Sequence, residues 1–215
     1  MSAVSAPLAL GALDLAALLC SRICHDLISP VGAIVNGIEV LEEDKDEETK
    51  TFALDLIKKS SRTASAKLQF CRLAFGAAGA AGAQIELGDA ESAARGILDE
   101  SKTTLTWNLQ RGPLAKNKVK LLLNMLMIGI GAIPRGGTLT VDALPGGEAI
   151  SGFRVTAAGQ NARLNPTVSA LMAGSPADPV DAHGVQPLYA GILARDCAWT
   201  LTGASEGETV VLTAR

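Results

Sequence analysis

The chain has 215 residues, 48% of them hydrophobic but only 3% aromatic, and a formal net charge of −3. That is enough apolar material for one large core or two small ones, built from aliphatic side chains. The charge excludes a strongly basic footprint, so no nucleic-acid partner is expected.

The first twenty residues, MSAVSAPLALGALDLAALLC, have the apolarity of a leader. No Lys or Arg precedes the apolar run and Asp14 interrupts it, so export is not expected. From 13 to 43 the apolar positions Leu19, Ile23, Leu27, Ile34, Ile38 and Leu41 recur at helical steps, which predicts one long helix. The charge run EEDKDEE at 42–48 suits a solvated turn. A second helix is predicted over 47–75, with Ala53, Leu56, Ile57, Ala64, Leu68 and Cys71 on its apolar side and Lys58, Lys59 and Arg62 facing away. Two helices and a short turn make an antiparallel hairpin. A lone hairpin cannot cover its own apolar stripe, and pairing with a second copy into a four-helix bundle solves that.

GAAGAAGAQ, 76–84, reads as a linker, dividing the chain into 1–77 and 84–215. No Lys-Ser/Thr follows it, so it is not a phosphate loop. Beyond it QIEL reads as a strand, DAESAARGILDES as a helix and TLTWNLQ as a strand. The segment 113–133 reads as a helix with Pro113 near its start. Its apolar part carries Lys120 and Asn124 and is too short to span a bilayer. A strand pair follows over 136–144 and 150–158, joined by a Pro-Gly-Gly turn. Then come a Pro-rich loop with a short helix, a helix over 185–196, and two strands over 198–205 and 208–214. That order predicts a mixed sheet covered on one face by helices. Trp107 and Trp199 are read as core fillers. Cys20, Cys24, Cys71 and Cys197 sit in apolar contexts without a repeating spacing, and are expected to be buried, reduced thiols of a soluble cytoplasmic chain.

His25 is one of two histidines. Advancing 100° per residue, it falls opposite Leu19, Ile23, Leu27, Ile34 and Leu41, beside Arg22, Ser29, Gly32 and Asn36. It is therefore expected to project outward. Asp26 adjoins it and can accept one ring proton, leaving the other nitrogen nucleophilic. Pro30 inside the helix removes a hydrogen bond, and Gly32 bares the surface for another backbone. The chemistry that fits is attack of imidazole on a phosphoryl group. No metal site is expected: the spacing of Cys20 and Cys24 is wrong for haem attachment, and Cys24 points away from His25. His183, in a Pro/Gly-rich loop, is read as a surface residue.

HDLISP, a His followed by an acidic residue and, five positions after the His, by Pro30, resembles the phospho-acceptor motif of histidine kinases. The hairpin is similar to their dimerisation domain. The order of elements after residue 83 resembles their Bergerat-type ATPase domain, an α/β sandwich with a mixed sheet. The nucleotide motifs depart from that pattern. Asn124 stands where an Asn-rich box begins, but Ile128 takes the second position. Ala157 replaces the adenine-reading Asp, with Gly159 retained. Gly184 is kept, but Gln186-Pro187 interrupt the phosphate loop. A phospho-acceptor hairpin with such a domain is similar to the dimeric histidine phosphotransferases of alphaproteobacterial cell-cycle phosphorelays.

That resemblance implies a homodimer that binds no ATP. It would carry a phosphoryl group on His25 from the receiver domain of a hybrid kinase (CckA-like) to response regulators (CtrA-like and CpdR-like). Mg²⁺ would be held by the receiver and no cofactor by this chain. Asp26 would orient or deprotonate the ring; Arg22, Ser29, Gly32 and Asn36 would dock the receiver. Lys67, level with His25 on the second helix, would lie near the phosphate. Two alternatives stay open: an ATP-using kinase, suggested by Asn124, and a receiver-binding scaffold that accepts no phosphate.

Overall fold

The computed structural model describes residues 10–43, 46–76, 82–99, 101–146 and 150–215. The start of the leader-like stretch, most of the Gly/Ala linker, the middle of the charged turn and part of the Pro-Gly-Gly connection lie outside the described residues.

Helix α1 runs Ala12–Glu43 and α2 runs Glu47–Ala74. Asp46 starts α2 by accepting the Thr49 amide at 2.9 Å, and Glu47 and Glu48 complement the helix dipole. Pro30 and Gly37 are the buried positions of α1. A Cβ on Gly37 would stand 2.7 Å from Ile57 Cγ1, so its missing side chain lets the two helices close. Leu19, Ile23, Leu27, Ile34 and Leu41 are half-buried in the single chain. A second stripe of α1 is left uncovered: Leu13, Cys20, Cys24, Ile28, Val31, Val35 and Ile38, at steps of three, four or seven residues, are all exposed. Ile38 and Leu68, expected on the sides that join the two helices, therefore face outward. The cysteines also depart from expectation. All four are free, but only Cys71 is buried; Cys20 and Cys24 are exposed and Cys197 is intermediate.

The second unit comprises β1 (Gln84–Glu86), α3 (Leu87–Leu98), β2 (Thr103–Trp107), β3 (Pro113–Ala115), α4 (Lys116–Ala132), β4 (Gly137–Leu144) and β5 (Gly152–Ala158), then α5 (Pro166–Ala173), α6 (Val185–Asp196), β6 (Leu201–Glu206) and β7 (Thr209–Ala214). The main sheet has the order β2-β4-β5-β7-β6, with β2 parallel to β4 and the other pairs antiparallel. It is the mixed sheet expected, its strands alternating between core and solvent: Val155 and Ala157 of β5 are fully buried, while Arg154 is exposed. One segment differs. Pro113–Ala115 does not open the helix but pairs antiparallel with Gln84–Glu86, so α4 begins at Lys116. Both tryptophans are half-buried against the core, Trp199 edge-on to Phe153 at 5.6 Å.

The base of the hairpin enters the same core. Phe70, Leu73 and Ala74 of α2 belong to one apolar cluster with α3, α4 and the sheet. The hairpin is thus held at a defined angle to the second unit. On the other side of α4, α5 and α6 pack so closely that a Cβ on Gly191 would lie 2.0 Å from the Met172 carbonyl oxygen. Gly191→Ala should destabilise the chain by about 1–3 kcal/mol despite better helix propensity. Urea titration should show a lower midpoint with an unchanged slope.

Candidate active site on the first helix

The site starts from Pro30. Proline has no N–H, so the carbonyl of Asp26, four residues earlier, loses its helical donor. A half-buried carbonyl left unpaired is costly. Lys67 supplies the missing donor from α2, its Nζ reaching Asp26 O at 3.0 Å. The motif's proline therefore acts at a distance: it opens one acceptor at the residue after the histidine and draws a cation from the second helix to it.

The Asp26 side chain is fixed from its own helix. Its Oδ2 accepts from Arg22 Nε at 2.9 Å, an i,i+4 pair with both side chains about one-fifth exposed. Its Oδ1 faces His25 Nδ1 at 3.4 Å. A carboxylate on the Nδ1 side favours the tautomer with the proton there, which leaves the lone pair on Nε2. The His25 side chain is 58% exposed, so the outward orientation expected from the helical angle holds. Ser29 and Asn36 are exposed on the same face, and a Cβ on Gly32 would meet nothing within 4 Å. Lys67 does arrive beside this site, but on the Asp26 side, with its ammonium engaged by the backbone.

Behind Asp26 lies Cys71. Burial pushes its thiol up to about 11, with the negative charge of Asp26 adding to the effect and Arg22 and Lys67 opposing it. Cys71 is thus a neutral packing group and no rival nucleophile.

A residue read from sequence as ordinary surface comes to the centre. The rings of His183 and His25 stand with centroids 4.6 Å apart at an interplanar angle of 78°. Asp181 places His183: its Oδ1 accepts the amides of His183 at 3.0 Å and Gly184 at 2.7 Å. Those bonds, the Gly184 amide foremost, hold the Asp181 carboxyl below its ordinary value. Nothing in the local sequence signals this contact, because 157 positions separate the two histidines and only the packing of α6 on α1 unites them. Beside the pair opens a cleft of about 360 Å³ whose lining includes Arg22, Arg163, Asn165 and His183.

The residues compared with a nucleotide motif in the sequence have structural partners. Asn124 is fully buried, and its Nδ2 donates to Ala74 O at 3.2 Å and Lys120 O at 2.9 Å. Gln186, also buried, donates through Nε2 to Asn124 O at 2.9 Å and to Asn124 Oδ1 at 3.0 Å. The Asn124 amide ties α4 to α2 and α6. Ala157 is fully buried within β5. Gly159 is required by packing, since a Cβ there would lie 2.3 Å from Gly136 O.

Comparison with known proteins shows the family. Residues 87–209 match the family described as the histidine phosphotransferase C-terminal domain. The chain belongs to the histidine phosphotransferase family. Over 212 residues, 98% of this chain and all of its relative, it is 51% identical to "Protein phosphotransferase ChpT" of Brucella abortus (strain 2308). A solved structure described as a bacterial phosphotransferase shares 48% identity and superposes with a TM-score of 0.88, covering 98% of this chain and 100% of that one. This histidine phosphotransferase is therefore an enzyme of phosphoryl transfer with a long helical hairpin and a mixed-sheet α/β unit. The family match begins after the hairpin, so the acceptor is argued from the geometry of α1.

Proposed function

We propose that His25 is the phospho-acceptor of a homodimeric phosphorelay intermediate. It takes a phosphoryl group from the receiver aspartate of a hybrid histidine kinase, CckA-like, and passes it to the aspartate of response regulators, CtrA-like and CpdR-like, in a cytoplasmic cell-cycle relay. The observation that carries this reading is the outward His25 ring with its Nδ1 toward Asp26 and, among the described residues, no hydrogen-bond partner on Nε2.

In the forward step the Nε2 lone pair attacks phosphorus, an N–P bond forms, and the acyl O–P bond breaks with its electron pair going to the receiver carboxylate. Onward transfer reverses the sequence on a second receiver, with Nε2 as leaving group. Mg²⁺ for this chemistry is expected in the receiver's acidic pocket, and no cofactor is proposed for this chain. Arg22, Ser29, Gly32 and Asn36 form the docking face, and Asp26 holds the ring. Lys67 contributes by holding the Asp26 backbone. The buried, hydrogen-bonded Asn124 and Gln186 speak against an ATP-using kinase. Mixing the protein with a phosphorylated receiver should move label to His25, whereas ATP with Mg²⁺ should not. Label from ATP alone, or none from the receiver, would overturn the proposal.

A further inference from the structure

His25 has one hydrogen-bonding neighbour within its own helix, and that contact is long at 3.4 Å. Alone it leaves the ring free to turn about χ2, whose energy profile is broad and roughly two-fold. A flip exchanges the nitrogens with ring carbons, so Nε2 would no longer present its lone pair in one direction. A second, independent contact is needed to define the ring plane. The structure has one: the ring of His183, 4.6 Å from that of His25 and nearly perpendicular to it. This is the offset, edge-to-face geometry that aromatic pairs favour.

His183 is well placed to hold another group still. Its backbone is pinned by the Asp181 turn. The helix that follows it is anchored at once, with Val185, Gln186, Pro187 and Leu188 all buried. Gln186 joins that helix to Asn124 on α4, and Asn124 joins α4 to the end of α2. A chain of buried contacts thus runs from the hairpin, through the second unit, and back to the acceptor. Ring contact between the two histidines has no evident part in the fold's stability, because His183 is exposed and outside the apolar core.

We propose that His183 is a positioning residue for phosphotransfer: as the one ring packed against His25 among the described residues, it fixes the imidazole so that Nδ1 stays on Asp26 and Nε2 faces the incoming receiver. The proposal rests on the reading of His25 as acceptor. It also gives the second unit a task in transfer, which is to carry this ring to α1.

The test uses the full chain with His183→Ala and His183→Phe, and a receiver domain phosphorylated by acetyl phosphate as donor. His183→Ala should lower the saturated transfer rate about tenfold, the scale of a lost orientation, while the half-saturating receiver concentration stays within about twofold. His183→Phe keeps an aromatic ring at the site and should restore the rate to within about threefold of wild type. Long-range nitrogen–proton NMR of the unphosphorylated protein should show His25 as one dominant tautomer, lost in His183→Ala and recovered in His183→Phe. An unchanged rate and spectrum in His183→Ala overturns the proposal. So does a change confined to half-saturation, which would make His183 a docking residue, and so does a failure of Phe to rescue. If wild type takes no phosphate at His25, the acceptor reading fails first, and the ring spectrum still reports separately whether His183 orders that imidazole.

Discussion

His25→Ala should accept no phosphoryl group from a phosphorylated receiver, a loss on the order of 10³-fold or more, because the proposed nucleophile is removed. The fold should be untouched. His25 is exposed, makes no contact with the apolar core, and sits in a helix that alanine favours, so stability should stay within about 0.5 kcal/mol of wild type. Circular dichroism and the urea midpoint separate the two effects. Receiver binding should persist in the variant, since the proposed docking face of Arg22, Ser29, Gly32 and Asn36 remains. A variant that still gains acid-labile phosphate would remove His25 from the mechanism.

The second large effect concerns assembly. The uncovered stripe on α1, from Leu13 to Ile38, is regular and apolar, which supports the proposed pairing of two copies. Ile28 is 72% exposed and Val31 and Val35 each 48% in the single chain. By length and composition α1 also qualifies as a candidate membrane span, but Arg22, His25 and Asp26 stand along its opposite edge. The proposed pairing with a second copy would bury the stripe and leave that edge free. Burying one such side chain contributes about 1.5–3 kcal/mol, and two-fold symmetry counts each change twice. The double substitution Ile28→Asp with Val35→Asp should therefore weaken the dimer by on the order of 5 kcal/mol or more, roughly a 10³- to 10⁴-fold rise in its dissociation constant. Light scattering should find wild type at twice the chain mass of 22.1 kDa and the variant at the chain mass. A dimer indifferent to both aspartates, or a monomeric wild type, would refute this interface.

How much of this was legible in the sequence depends on how local each feature is. The two long helices of the hairpin, the mixed sheet and the outward angle of His25 follow from periodicity and turn residues, and they hold; the start of α4 does not. The division of α1 into two apolar stripes does not follow, because residues facing α2 and residues left exposed recur at similar steps. That is why Ile38, Leu68 and the thiols of Cys20 and Cys24 were expected inside. The ladder of Pro113–Ala115 is a non-local pairing, and its proline imitates the first turn of a helix. Within the site, Asp26 and Arg22 are helical neighbours of His25 and so were visible. Lys67 could be placed level with His25 by counting back across the turn, but not assigned its bond: that requires seeing which carbonyl Pro30 had released. His183 was out of reach, since only the docking of α6 against α1 makes it a neighbour.

The most direct test is to let a phosphorylated receiver react with the full chain and map the phosphate by tandem mass spectrometry at neutral pH. The account predicts an acid-labile, alkali-stable phosphate on His25, carried on α1. Phosphate found on His183 instead, or on no histidine at all while the receiver loses its label, would contradict it.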